Sequence, residues 1–253
     1  MTSKQLISVS LDIGQRLLQC GAEIYRVEDA ICRICRAYDT KEVDVYAVPT
    51  GIIASITMEN ESPITRVARI YNRSTNLGLL DQLNTLCRDI CREKLDYESI
   101  NERLHLIDCH TGYREYILCL ANGGGGFFFT LLFGGAIKEA ICSAITCMIL
   151  WFFMVWMQKI RTNSLFINII GGCWIASMAL FLHHIGIIEK YDTMIIGSIM
   201  ILVPGLIMTN AIRDLIAGDI VAGITKFTEA LLVAAGIAVG AALPFSIIRM
   251  IGG

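Results

Sequence analysis

The sequence predicts a membrane protein with two parts: a cytosolic α+β N-terminal domain over residues 1–112, then an α-helical bundle of about five transmembrane helices over residues 113–253. Three observations predict it. The charges are segregated, since residues 1–115 hold 14 of the 21 basic and 17 of the 23 acidic side chains. The composition is 55% hydrophobic with a mean hydropathy of +0.59, high for a soluble domain. The second part also divides into apolar segments near the ~20 residues a helix needs to cross a hydrocarbon core.

Residues 4–38 read as amphipathic helix, interrupted near Gly21, with Leu6, Val9, Ile13, Leu17 and Leu18 recurring every three or four positions. From Glu42 to Ile70 the pattern changes to strands. Val43, Val45 and Ala47 alternate with Asp44 and Tyr46, Pro49-Thr50-Gly51 makes a turn, and Ile52 to Met58 is β-branched and apolar. A second turn at Asn60 to Pro63 leads into a third strand at Ile64 to Ile70. Helical spacing returns at Leu77, Leu80, Leu83, Leu86 and Ile90, and again over Tyr97 to Ile107.

The apolar segments are 116–135, 140–157, 164–186, 193–212 and 220–244. Gly134-Gly135 through Lys138-Glu139, Gln158 to Asn163, Glu189 to Asp192 and Arg213 to Asp219 separate them. Five spans place Lys159, Arg161 and Arg213 on the side of the polar domain and Lys138, Lys190 and Arg249 on the other. The loops therefore balance. Arg103, Arg114 and the other basic residues of the polar domain tilt the orientation to a cytoplasmic N-terminus in the cell membrane. Asp12, Gln15 and Arg16 interrupt the first apolar residues at helical spacing, so the opening segment is not a signal peptide. The ten cysteines are accordingly read as reduced thiols.

Several functions are disfavoured. Neither part is strongly basic, which argues against a nucleic-acid surface. There is no G-x-S-x-G and no H-E-x-x-H. Cys32-x2-Cys35 and Cys87-x3-Cys91 have zinc-like spacing, but both lie in helical pattern, where such spacing is simply one face, so no metal and no cofactor is expected. Gly123-Gly124-Gly125-Gly126 follows no strand and no Gly-Lys-Ser/Thr, so close helix approach or a substrate-lining break explains it better than a nucleotide. Gly171-Gly172 and Gly236 with Gly240 fit packing between membrane helices. Pro204-Gly205 in the fourth span either unwinds that helix or kinks it.

Residues 210–240 carry the chemistry. Asn210, Arg213, Asp214 and Asp219 stand at a membrane boundary, and Lys226 and Glu229 lie inside the fifth span, where a charge costs about 2.5–3.5 kcal/mol unless it faces protein or water. Asp219, Gly223, Lys226 and Ala230 share one helical face, with Glu229 to its side. One reading is a substrate or proton pathway, in which Glu229 or Asp219 exchanges a proton and Lys226 or Arg213 attracts a carboxylate. The other is a structural i,i+3 pair of Lys226 with Glu229, beside ordinary interfacial residues. In the polar domain, Glu23, Glu28 and Asp29 are either weak candidates for an enzyme site or a solvated helix face.

Three stretches in this order, GAEIYRVEDAICRICRAY from Gly21, VPTGIIASI from Val48 and NAIRDLIAGDIVAGITKFTEALLVAAGIAVG from Asn210, resemble the N-terminal half of the threonine/serine exporter family, the ThrE and YjjP group. The resemblance covers nearly the whole chain. It implies a secondary transporter, not an enzyme, that exports threonine, serine or, in some members, a dicarboxylate such as succinate, driven by the proton motive force. It also implies a second set of membrane helices, fused or supplied by a second small multi-pass membrane subunit. Because the sequence ends nine residues past Pro244, a partner subunit is expected. The motif positions are Gly21, Ala22, Glu23, Glu28, Asn210, Asp214, Gly218, Asp219, Gly223 and Glu229, and Lys226 stands where the family accepts a basic residue. A membrane-anchored hydrolase and a regulatory subunit without a pathway are the rival readings.

Overall fold

The computed structural model describes residues 1–59, 61–109, 112–160 and 163–252. It is mostly helical, and its contacts divide it into two compact units: Met1–Gly112 with Met208–Phe227, and Tyr113–Ile207 with Thr228–Gly253.

In the first unit, α1 (Ser3–Gln19) opens on a capping box, with Thr2 and Gln5 bonding each other's backbone N–H groups. It buries Leu6, Ile13 and Leu17. The break expected at Gly21 is present, since that glycine sits at φ +93°, which an L side chain rarely adopts. α2 (Ile24–Ala37) follows. Strands β1 (Glu42–Val48), β2 (Gly51–Thr57) and β3 (Ile64–Arg69) form an antiparallel meander in the order β1-β2-β3. Val45 opposes Ala54 across the first pair, and Ile53 opposes Val67 across the second. Asn60, in the second expected turn, lies outside the described residues. α3 (Leu77–Glu93) starts where Asn76 accepts the Leu79 N–H at 3.0 Å, and α4 (Tyr97–Cys109) completes the layer. Ile13, Ile31, Ile34, Ile52, Leu83 and Ile90 make one core between helices and sheet.

The second unit contains α5 (Glu115–Leu132), α6 (Ile137–Lys159), α7 (Ser164–His184) and α8 (Tyr191–Ile199). α9 (Gly205–Ala217) and α10 (Ile220–Gly252) complete the chain. The glycine run does not break α5. A Cβ at Gly126 would stand 2.6 Å from Cys147 Sγ, and one at Gly123 would stand 2.6 Å from the Met148 side chain, so the run lets α6 approach. α7 and α10 meet still more closely, because a Cβ at Gly240 would fall 1.9 Å from the Ile169 carbonyl oxygen.

Four described helices, α5, α6, α7 and α10, are long and apolar enough to cross a membrane. The expected fourth span, 193–212, is not a continuous helix. It is α8 and α9, of 9 and 13 residues, separated by a non-helical stretch around Pro204. The cause is local: Pro204 has no N–H to give, and Leu202 and Val203 both turn their N–H groups back to the Ile199 carbonyl. The break expected over Arg213 to Asp219 shrinks to Gly218 and Asp219, since α9 runs on to Ala217. Arg161, used above for orientation, lies outside the described residues.

Candidate functional site

The first unit gathers residues far apart in sequence. Arg213, on α9, forms an ion pair with Glu23, the residue that precedes α2. Three residues earlier, Asn210 Nδ2 donates to the Gly21 carbonyl at 3.2 Å. One face of α9 is thus tied to the turn between α1 and α2. The left-handed backbone of Gly21 makes that turn tight enough to present both its own carbonyl and the Glu23 side chain.

Glu23 is buried and also pairs with Arg26 at 3.3 Å. Burial pushes its carboxyl up, but hydrogen bonds from its own backbone N–H and from Arg213, with the charges of Arg26 and Arg213, outweigh that and hold it below the usual carboxylate range. Glu28, one turn further along α2, accepts the Ala47 N–H at 2.7 Å from β1. Burial raises its carboxyl above the ordinary value, and the charge of Asp219 adds to this against that hydrogen bond.

The centre of the site is a sealed ion pair. Lys226, on the first turns of α10, places Nζ 2.7 Å from Asp214 Oδ2 of α9. Asp214 is 0% exposed and Lys226 is 6% exposed. The contact lies off the line of a well-directed hydrogen bond, and among the described groups neither the ammonium nor the carboxylate oxygens have any other hydrogen-bond partner. Attraction in a low dielectric, with little hydrogen bonding to offset desolvation, is the least comfortable state for two buried charges.

A tight turn brings the two helices together. Gly218, at φ +96°, ends α9, and the Asp219 N–H returns to the Asp214 carbonyl at 2.9 Å. Gly223 then lets α10 cross α9, because a Cβ there would sit 2.5 Å from Leu215 Cγ. Asp219, at the mouth of this turn, has its carboxyl raised by burial and by Asp214, against the opposing effect of Lys226.

Eight of the residues singled out from the sequence therefore fall in one unit: Gly21, Glu23, Glu28, Asn210, Arg213, Asp214, Asp219 and Lys226. Glu229 belongs to the other unit. Lys226 pairs with Asp214 on the neighbouring helix, a partner that the i,i+3 spacing does not indicate. Nor are Glu23 and Glu28 on a solvated face, although Asp29 is exposed. The sequence reading passed over one buried acid of the second unit, Glu139. Its signal was its position four residues before Ser143, on the buried face of α6.

Comparison with known proteins identifies the family of the chain. Residues 8–248 match the model of the ThrE family, described as a threonine/serine exporter. A Mycobacterium tuberculosis protein named "Probable threonine/serine exporter" is 20% identical over 94% of this chain and 45% of its own length. The Corynebacterium glutamicum "Threonine/serine exporter" is 23% identical over 94% of this chain and 50% of its own. A Klebsiella aerogenes protein named "Probable succinate transporter subunit YjjP" is 23% identical over 88% of this chain and 86% of its own. The chain thus spans about half the length of the first two relatives. No solved structure matches it. With four helices suited to crossing a bilayer, it is a multi-pass membrane protein, and the matched family is one of transporters rather than enzymes. The chain belongs to the ThrE threonine/serine exporter family.

Proposed function

We propose that this chain is one subunit of a proton-coupled secondary transporter that exports threonine, serine or a related small amino acid across the cytoplasmic membrane. Its polar pathway comprises Asn210, Arg213, Asp214, Asp219, Lys226 and Glu229. The observation that carries this reading is the sealed Asp214–Lys226 pair. A zwitterion needs a cation for its carboxylate and an acceptor for its ammonium. Lys226 and Asp214 offer one of each, so a bound amino acid can open the pair without leaving either charge unpaired.

Asp219, at the turn between α9 and α10 and shifted toward the protonated form, suits the proton-carrying role. The basic residues of the polar domain, among them Arg103 and Arg114, support a cytoplasmic N-terminus. A second multi-pass subunit is supported by the roughly double length of two relatives and by the printed name of the third. That third relative also favours a second reading, a dicarboxylate exporter. Succinate has no ammonium to satisfy Asp214 and would need two cations, and Arg213 is already engaged by Glu23. The amino acid is therefore the better chemical fit.

The test is export from cells preloaded with threonine or with succinate, expressing the chain with its partner. Threonine efflux should require Lys226 and Asp214 and should lose its dependence on the proton gradient in the Asp219→Asn/Glu229→Gln double variant. Unchanged proton-coupled efflux in that variant would remove the site assignment, and efflux of succinate alone would select the second reading.

A further inference from the structure

The second unit holds a buried carboxylate that the proposed transport site does not use. Glu139, on the first turn of α6, is only 3% exposed. Its Oε1 accepts the backbone N–H groups of Glu189, at 3.1 Å, and Lys190, at 3.3 Å, at the start of α8. Two donors at a helix N-terminus favour the charged carboxylate over the neutral acid. Its other oxygen, Oε2, is buried and has no hydrogen-bond partner among the described groups. Nor is there a buried cation, since the described Lys and Arg residues of this unit are all exposed.

The surroundings supply neutral oxygen ligands. Ser143 lies one turn further along the same face of α6, fully buried, with Oγ 2.7 Å from Oγ of the equally buried Ser198 on α8. Thr130 of α5, whose Oγ1 donates to the Gly126 carbonyl at 2.8 Å and keeps its lone pairs, packs against Gly197, the residue before Ser198. α5, α6 and α8 thus enclose a hydroxyl cluster one turn from an ionised acid within an apolar bundle.

We propose that Glu139, with Ser143, Ser198 and Thr130, forms a binding site for a small monovalent cation of the Na+ type. The four side chains named offer only oxygen, which suits such an ion and not a transition metal, while the buried Cys147 thiol borders Ser143 as a neighbour outside the set. The single carboxylate balances one positive charge, whereas a divalent ion would leave an excess charge in a low dielectric. The two amide donors on Oε1 argue against a proton as the occupant. This inference does not depend on what the chain transports.

The test uses the full chain in lipid nanodiscs and measures 22Na+ binding at constant ionic strength, with choline as the replacing cation. The wild type should bind Na+ saturably. Glu139→Gln keeps an acceptor for the two amides and should abolish binding, and the Ser143→Ala/Ser198→Ala double variant should weaken it at least tenfold. Hydrogen exchange of the Glu189 and Lys190 amides, unchanged in Glu139→Gln, would show that the fold survives. Three results would overturn the proposal: no Na+ binding by the wild type, full binding by Glu139→Gln, or a site that responds to pH and not to Na+.

Discussion

Lys226 Nζ lies 2.7 Å from Asp214 Oδ2, with both side chains withdrawn from solvent and neither well hydrogen-bonded. Removing one partner leaves an uncompensated buried charge, so Lys226→Met or Asp214→Asn should each cost about 3–5 kcal/mol. The Asp214→Leu/Lys226→Met double variant should recover most of that loss while abolishing export. Thermal unfolding in detergent, analysed as a double-mutant cycle, measures the coupling.

The Glu23–Arg213 pair should behave differently, because Arg213 is half exposed and solvent screens it. Arg213→Ala should cost on the order of 1 kcal/mol. Because the Glu23 carboxyl is held below its ordinary value, its contribution is fully present above the normal carboxylate range and is lost as pH falls through its lowered folded value. Unfolding measured from neutral into acid pH should show a smaller loss for Arg213→Ala than for the wild type.

Asp219 and Glu28 have the opposite sign. Both carboxyls are raised, so each costs stability while ionised in the folded state, and that cost is relieved as pH falls through the raised values toward the ordinary ones. Asp219→Asn removes its own titration and one cause of the shift in Glu28. Its stability should therefore rise less than the wild type's as pH is lowered from neutral toward the carboxylate range. An equal rise in both proteins would contradict the assignment.

Glycines of the bundle should divide sharply. Gly240→Val would drive a side chain into the Ile169 carbonyl and should prevent stable folding, whereas a Cβ at Gly124 meets nothing within 4 Å. Gly124→Ala should be neutral or stabilising by up to about 1 kcal/mol through helix propensity. Expression level and melting temperature of the two variants provide the comparison.

The elements of the polar domain were legible because their hydrophobic periods are clean. The alternation of Val43, Val45 and Ala47 and the helical recurrence of Leu83, Leu86 and Ile90 each describe one side turned to the core. The apolar lengths of α5, α6, α7 and α10 were equally plain. Hydropathy was blind to the α8–α9 interruption, since Met200 to Val203 are as apolar as a span requires and only Pro204 hinted at the break. The reading found the charged residues of the site but not their partners. Asp214 and Lys226 are twelve residues apart, and the turn at Gly218 folds that interval back on itself. Glu23 and Arg213 are joined by tertiary structure alone, which no local spacing encodes.

The interrupted segment has a consequence for how the chain threads the bilayer. α8, at nine residues, rises only about 14 Å of the roughly 30 Å that a crossing requires. The stretch between α8 and Pro204 has no continuous helix to satisfy its backbone, and lipid cannot hydrogen-bond it. Wherever that stretch lies at membrane depth, its peptide groups must look onto protein or water.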